Sequence, residues 1–280
     1  MSTAHHAVHH SVHRTTAPRP ASTPPSWCAD PYADALRAGR GPLFLRRADG
    51  WLLPLDVERW CARADETDLG VVEHCEGAVL DIGCGPGRLV AALGARGGRA
   101  LGIDVSEAAV AHTVGLGGQA LHRSVFEPLP GEGRWGTALL MDGNLGIGGD
   151  PHALLERVAQ LLVPGGLLLA ETAPLDIDER VHVHLVHATD DGLRADDGPF
   201  PWARLGTPAL LRHAERAGWR AAGQWTAGGR SFVALRSRDQ RRDHGRDRST
   251  RSSAEPPNST AVINSQRAAN PSPESPVADA

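Results

Sequence analysis

The chain has 280 residues and a formal net charge of −4, and all 29 of its basic residues are arginine, which excludes a Schiff-base lysine, a phosphate-loop lysine and a lysine general base. The acidic balance argues against a dedicated nucleic-acid binder. Four cysteines without a C-x-x-C pair fit a reducing cytoplasm better than a disulfide framework or a zinc site, and neither a membrane span nor a secretory signal is expected.

Residues 1–27 (His, Thr, Ser, Pro) and 237–280 (Arg/Asp mixtures, then Ser, Pro, Asn) cannot bury enough apolar surface to offset the entropy of ordering, so both are predicted to be disordered tails. The His5, His6, His9, His10 and His13 cluster reads as an adventitious chelator, and no metal site is expected. The arginines from Arg236 to Arg251, interleaved with Asp239, Asp243 and Asp247, read as a solvated linker. One domain is expected between the tails, 28–236, divided into an N-terminal cap (28–76) and an α/β core (77–236).

In the cap, Leu43–Arg46 and Trp51–Leu53 flank Ala48-Asp49-Gly50 as a hairpin. Asp56 caps a short helix through Trp60, and a second helix covers 65–75. The core then alternates. Strands are predicted at Val79–Ile82, Ala100–Ile103, Ala120–Val125, Thr137–Met141 and Leu167–Ala170. The helices between them are Pro86–Arg96, Ser106–Val114 (Ser106 as cap) and Pro151–Leu162 (Asp150 as cap). Short apolar strands alternating with amphipathic helices predict a doubly wound, mostly parallel, seven-stranded sheet. Val181–His187 reads as a strand and Thr207–Ala217 as a helix. Trp219–Ala227 and Ser231–Arg236 form a hairpin over Gly228-Gly229, giving an antiparallel final strand.

The chemistry is concentrated where the first core strand turns into its helix, at Asp81-Ile82-Gly83-Cys84-Gly85-Pro86-Gly87-Arg88. Glycines there let backbone approach a ligand, and the helix N-terminus offers free N–H groups. The spacing is G-x-G-x-G. A dinucleotide fingerprint would place its third glycine at Arg88. A second acid, Asp104, closes the next strand, where a carboxylate is placed to accept both ribose hydroxyls of an adenosine ligand.

This run resembles the class I S-adenosylmethionine-dependent methyltransferases, over about 79–172. The resemblance implies a Rossmann-like fold, S-adenosyl-L-methionine as cofactor and S-adenosyl-L-homocysteine as product. It implies that Gly83, Gly85 and Gly87 line the turn beneath the methionine part, that Asp81 orients the turn and meets the cofactor's amino group directly or through water, that Asp104 holds the ribose and that Val105 packs on the adenine. After the third strand the family often carries an adenine-binding Asp. Here Ser124-Val125-Phe126-Glu127 has none, which leaves the backbone at Val125 and Phe126, packing by Phe126, and Glu127 as a substitute.

The fourth strand opens into Met141-Asp142-Gly143-Asn144-Leu145-Gly146-Ile147-Gly148-Gly149-Asp150, a glycine-rich segment at the carboxyl edge, read as a mobile lid. Asp142 and Asn144 fall beside the reacting centre and are the candidate catalytic pair. Glu171, the strand histidines His182, His184 and His187, and His152 are weaker candidates and read equally or better as solvated. Trp51, Trp60 and Trp202 are expected to roof the cleft. The segment lacks the Asn/Asp-Pro-Pro-aromatic motif of DNA amino-methylating relatives, so a small-molecule acceptor, methylated on O or N, is expected, with nucleic acid and membrane set aside and oligomeric state open. Two other classes remain: a Rossmann-type NAD(P)-dependent oxidoreductase and a non-catalytic cofactor-binding protein.

Overall fold

A computed structural model describes residues 30–189, 192–195 and 198–238. The predicted tails, with the histidine cluster and nearly all of the Arg/Asp run, lie outside the described residues. Ser237 belongs to the folded part: it is buried, and its N–H donates to the Gly166 carbonyl at 3.0 Å.

The described chain opens on helix α1 (Asp30–Ala38), then β1 (Leu43–Arg47), β2 (Leu52–Leu55), α2 (Val57–Cys61) and α3 (Glu66–Glu73). Next come β3 (Val79–Ile82), α4 (Arg88–Ala95), β4 (Ala100–Asp104), α5 (Glu107–Gly115), β5 (Ala120–His122), β6 (Trp135–Leu140), a 3-10 turn at Asn144–Gly146, α6 (Pro151–Leu161) and β7 (Leu162–Thr172). Three further strands, β8 (Asp178–Thr189), β9 (Gly192–Ala195) and β10 (Phe200–Leu205), precede α7 (Thr207–Arg216) and the hairpin β11 (Arg220–Ala227) and β12 (Arg230–Arg236).

Short polar side chains start α2, α3, α5 and α6, whereas α4 and α7 begin after glycines. Asp150 Oδ1 accepts the His152 and Ala153 N–H groups ahead of Pro151, and Ser106 Oγ accepts that of Ala109. Asp65 and Asp68 form a reciprocal capping box on α3.

The central sheet runs β11-β12-β7-β6-β3-β4-β5. Strands β3 to β7 are mutually parallel, and β12 is antiparallel to both its neighbours, as the sequence predicts. Alternation sorts the side chains into two cores. Leu80, Ile82, Ala138, Leu140, Leu168, Ala170, Val233 and Leu235 pack under α6 and α7. On the opposite face Val79, Leu139, Leu167, Leu169, Phe232 and Ala234 pack under α3 and α4. Helix α3, assigned from sequence to the cap, therefore belongs to the α/β layers.

The cap itself differs from the expectation. It is a second, five-stranded sheet of order β10-β8-β1-β2, with β9 also paired to β8. The N-terminal hairpin pairs in antiparallel register with β8, from Leu43 opposite His187 to Arg47 opposite Val183. A two-stranded hairpin is marginal alone, and the long insertion after β7 completes it. Strands β9 and β10 and helix α1 were not anticipated: Phe200-Pro201-Trp202 carries a proline, and Gly192-Leu193-Arg194-Ala195 has no alternation. Strand β5 is shorter than predicted, because the chain leaves it in a turn in which Glu127 Oε2 accepts the Ser124 N–H at 2.7 Å.

Candidate active site

Beyond β3 the backbone turns through Gly83 and Gly85 with φ of +70° and +53°, a region costly for any residue with a Cβ. Asn144 locks this turn from the side. Its Nδ2 donates to the carbonyls of Ile82 at 2.9 Å and Gly83 at 2.8 Å, and a Cβ on Gly83 would lie 2.6 Å from that nitrogen. The Asn144 amide is thus committed to backbone. Gly87 serves another purpose: a Cβ there would sit 2.4 Å from Thr113 Oγ1, so its absence lets α4 approach α5. Gly83 and Gly85 line the cleft above the turn, and Gly87 does not.

Asp104 ends β4 facing that turn. Its Oδ2 accepts the Gly85 N–H and its Oδ1 the Ser106 N–H, each at 2.9 Å. Burial pushes its pKa up, and these backbone N–H groups, with that of Val105, work against the shift. A carboxylate offers about four acceptor positions, so acceptor capacity remains for a ligand. Asp81, on the neighbouring strand, is buried behind the turn and does not line the cleft. Burial raises it to about 7, with Arg88 opposing and Asp142, Asp104 and Asp68 reinforcing. Val105, Val125 and Phe126 line the same end of the cleft, where Phe126 is nearly half exposed, so plain core packing does not account for it. Glu127 does not line the cleft; its carboxylate is spent on the Ser124 turn.

Sequence reasoning missed Tyr32. On α1 it is buried, lines the cleft, and its hydroxyl would lie 3.7 Å from a Cβ on Gly85. Burial, then the nearby Asp104, hold the phenol neutral well above its usual range. Asp30-Pro31 followed by Tyr32 and Leu36 at i, i+4 spacing was the available signal.

It also missed an ion cluster in the cleft wall. Arg88 Nε donates to Asp68 Oδ2 at 2.8 Å, its Nη2 to Asp68 Oδ1 at 3.2 Å, and its Nη1 to Asp142 Oδ2 at 2.7 Å. Arg230 Nη1 reaches Asp68 Oδ1 at 2.7 Å, while its Nε and Nη2 take both oxygens of Glu171. Glu171 Oε2 also accepts the Asp142 N–H at 2.9 Å. Burial works against the Asp68 carboxylate, but Arg88 and Arg230 hold it at about 2. Asp142 has φ +56°, the one non-glycine residue with positive φ among the described residues. Such backbone costs roughly 1–3 kcal/mol and collects at functional sites.

The cleft between the carboxyl edge of the central sheet and the cap sheet has a volume of about 850 Å³. Its roof is apolar: Leu45, Leu53, Leu55, Trp60, Phe200 and Trp202. Trp51 is not part of it and lies instead beneath the Arg204 guanidinium, 4.5 Å from ring centre to Cζ. The glycine-rich segment after β6 packs against the cap, where a Cβ on Gly146 would meet the Trp202 ring. His152, His182, His184 and His187 do not line the cleft. Asp150 caps α6 and nothing more.

A family model described as a methyltransferase domain matches residues 57–219, more than half of the chain. No curated protein sequence matches it. Among solved structures it is similar to an S-adenosylmethionine-dependent methyltransferase from Bacteroides fragilis in complex with S-adenosyl-L-homocysteine, at 20% identity and a TM-score of 0.61, over 76% of this chain and 97% of that one. The CcbJ methyltransferase from Streptomyces caelestis follows at 19% identity and a TM-score of 0.47, over 62% and 88% of the two chains. The sugar N-methyltransferase KedS8 from Streptoalloteichus sp. gives 18% and 0.47, over 64% and 88%. With the strand order, the G-x-G-x-G turn and the acid closing β4 already in place, the chain belongs to the class I S-adenosylmethionine-dependent methyltransferase family.

Proposed function

We propose that this protein methylates a small-molecule acceptor on oxygen or nitrogen, in the cytoplasm, using S-adenosylmethionine. The observation that carries the cofactor assignment is Asp104, fixed by two backbone N–H groups with acceptor positions to spare, facing a turn that only glycines allow. Gly83 and Gly85 would lie beneath the methionine part, Asp104 would take the ribose hydroxyls, and Val105, Val125 and Phe126 would flank the adenine. When bound, the cofactor supplies an already activated sulfonium methyl. The remaining work of the chain is to align the acceptor and exclude water. The apolar roof and a volume near 850 Å³ suit one cofactor and one compact acceptor. Asn144 acts here by positioning the turn, since its amide is spent on Ile82 and Gly83.

Incubation with methyl-labelled S-adenosylmethionine and a fractionated extract of the source organism tests this. Label is expected in a low-mass fraction. Label confined to protein or nucleic acid, or tight cofactor binding with no transfer in any fraction, overturns the reading.

The buried Asp81 adds a pH dependence. With its pKa raised to about 7, the free protein keeps this group neutral below neutrality. The stability associated with the neutral form is fully present below about pH 4 and is lost as pH rises through 7. Through the turn or a bridging water, a bound ammonium group would favour the ionised form. Affinity for S-adenosyl-L-homocysteine is therefore expected to rise roughly tenfold between pH 5.5 and 7, with proton release on binding at the lower pH. Calorimetry in two buffers of different ionisation enthalpy measures both; a flat profile contradicts the role of Asp81.

A further inference from the structure

The roof of the cleft carries aromatic rings that are fixed before any ligand arrives. Trp202 is 6% exposed, and a Cβ on Gly146 would lie 2.3 Å from its Cε2, so the ring rests on bare backbone. Phe200, two residues earlier on β10, meets it edge to face, with ring centres 6.1 Å apart and planes at 84°. Trp60, on α2, meets Tyr32 in the same manner at 6.5 Å and 67°. Trp60, Phe200 and Trp202 belong to one apolar cluster, and all three line the cleft. Edge-to-face pairs of this kind hold rings in one orientation and offer a preorganised surface. The other roof residues, Leu45, Leu53 and Leu55, have no side-chain group that can hydrogen-bond.

The polar groups at hand narrow what can lie there. Trp60 Nε1 is buried and makes no hydrogen bond among the described residues. Buried polar groups are normally paired, and an indole N–H can only donate, so it suits an oxygen and offers nothing to an ammonium. The carboxylates of the wall are committed: Asp142 lies 2.7 Å from Arg88 and 2.8 Å from Arg59, and Arg230 takes both oxygens of Glu171. A cationic amine under the roof would find neither of them free, and a buried charge without a partner is strongly disfavoured. A ligand bearing many hydroxyls would set most of them against leucine and ring carbon, giving up hydrogen bonds to water with none in return.

We infer that the roof selects an acceptor built on a flat aromatic ring that carries an oxygen, the ring lying against Phe200 and Trp202 and the oxygen accepting from Trp60 Nε1. The inference rests on the methyl-transfer reading and narrows its acceptor from any small molecule to this class. Trp60 and Trp202 are then the residues that set acceptor specificity, and neither is needed for the cofactor.

Calorimetry on the full chain saturated with S-adenosyl-L-homocysteine tests this with three probes. They are 2-naphthol, decahydro-2-naphthol, which keeps the hydroxyl and loses the aromatic ring, and 2-naphthylmethylamine, which keeps the ring and replaces the oxygen by a cation. The natural protein is expected to bind 2-naphthol about tenfold more tightly than either of the others. Trp202→Leu is expected to weaken 2-naphthol about tenfold, and Trp60→Phe, which keeps a ring and loses the N–H, about fivefold. Affinity for S-adenosyl-L-homocysteine stays unchanged in Trp60→Phe and reports an intact fold. If Trp202→Leu loses both ligands through misfolding, Trp60→Phe alone decides. A 2-naphthol affinity no higher than that of either comparison probe, or unmoved in Trp60→Phe, overturns the inference. So does a Trp60→Phe variant that weakens S-adenosyl-L-homocysteine as much as 2-naphthol, which would assign the indole N–H to the cofactor. Failure of the natural protein to bind S-adenosyl-L-homocysteine overturns the methyltransferase reading itself, an outcome distinct from any response of the probes.

Discussion

Asp104→Ala will weaken S-adenosyl-L-homocysteine binding by 100-fold or more, the largest effect expected of any single change at the cofactor. Two lines of loss combine. A hydrogen bond to a charged group is worth about 1.5–3 kcal/mol, so two ribose hydroxyls on this carboxylate represent about 3–6 kcal/mol, or roughly 10² to 10⁴ in the dissociation constant. The change also strips the Gly85 and Ser106 N–H groups of their acceptor. The first of these fixes the turn beneath the ligand, and the second sits at the start of α5.

Asp104→Asn separates these lines. The amide keeps the shape and one acceptor oxygen but must present its NH₂ either to a backbone N–H or to the ligand. An intermediate loss, about tenfold or more, is expected. Calorimetry with circular dichroism on the same samples measures both variants. Undiminished affinity in Asp104→Ala with an intact fold would remove the ribose from this residue and with it the main support for the cofactor assignment.

How much of this was legible beforehand depends on how local each signal is. The turn from Gly83 to Gly87, the caps Asp56, Ser106 and Asp150, and the acid at the end of β4 are all decided within a few residues of chain. Their spacing therefore announces them. Alternation along β3, β6, β7 and β12 likewise follows from the two-residue period of a strand buried on both faces. The cap sheet was not legible as a sheet, because β1 meets β8 across more than a hundred residues and neither strand shows its partner in its own sequence. The same holds for the ion cluster. Arg88 and Asp68 are 20 positions apart, and Asp68 and Arg230 are 162 apart. From sequence, Arg88 registered only as the residue that breaks the dinucleotide spacing. Asp68 both closes the capping box and anchors two arginines, and nothing in its own stretch of chain distinguishes it from other polar residues of a helical first turn.

That cluster sets up the second large effect. Arg88→Met is expected to destabilise the fold by about 3 kcal/mol, at the lower end of the 3–5 kcal/mol seen when one partner of a buried ion pair is removed. The low end applies because neither carboxylate is wholly abandoned: Asp68 keeps Arg230 at 2.7 Å, and Asp142 keeps Arg59 at 2.8 Å. The cost arises because Arg59, Arg88 and Arg230 balance Asp68, Asp142 and Glu171 one for one, and at 1% and 5% exposure Asp68 and Arg88 have no water to replace the lost partner. Removing the charge on both sides should therefore cost less than removing one, so Arg88→Met with Asp68→Asn is expected to be more stable than Arg88→Met alone. Urea denaturation of the two single variants and the double variant measures this; additive losses, or an Arg88→Met variant within 1 kcal/mol of the natural protein, would reduce the cluster to an incidental contact. A second readout ties the cluster to the site. Burial raises Asp81 to about 7, and Arg88 is the group that holds it down against Asp142, Asp104 and Asp68. Without Arg88, Asp81 must titrate higher still, so the rise in ligand affinity with pH should move to more alkaline values in Arg88→Met, a shift that a purely structural loss would not produce.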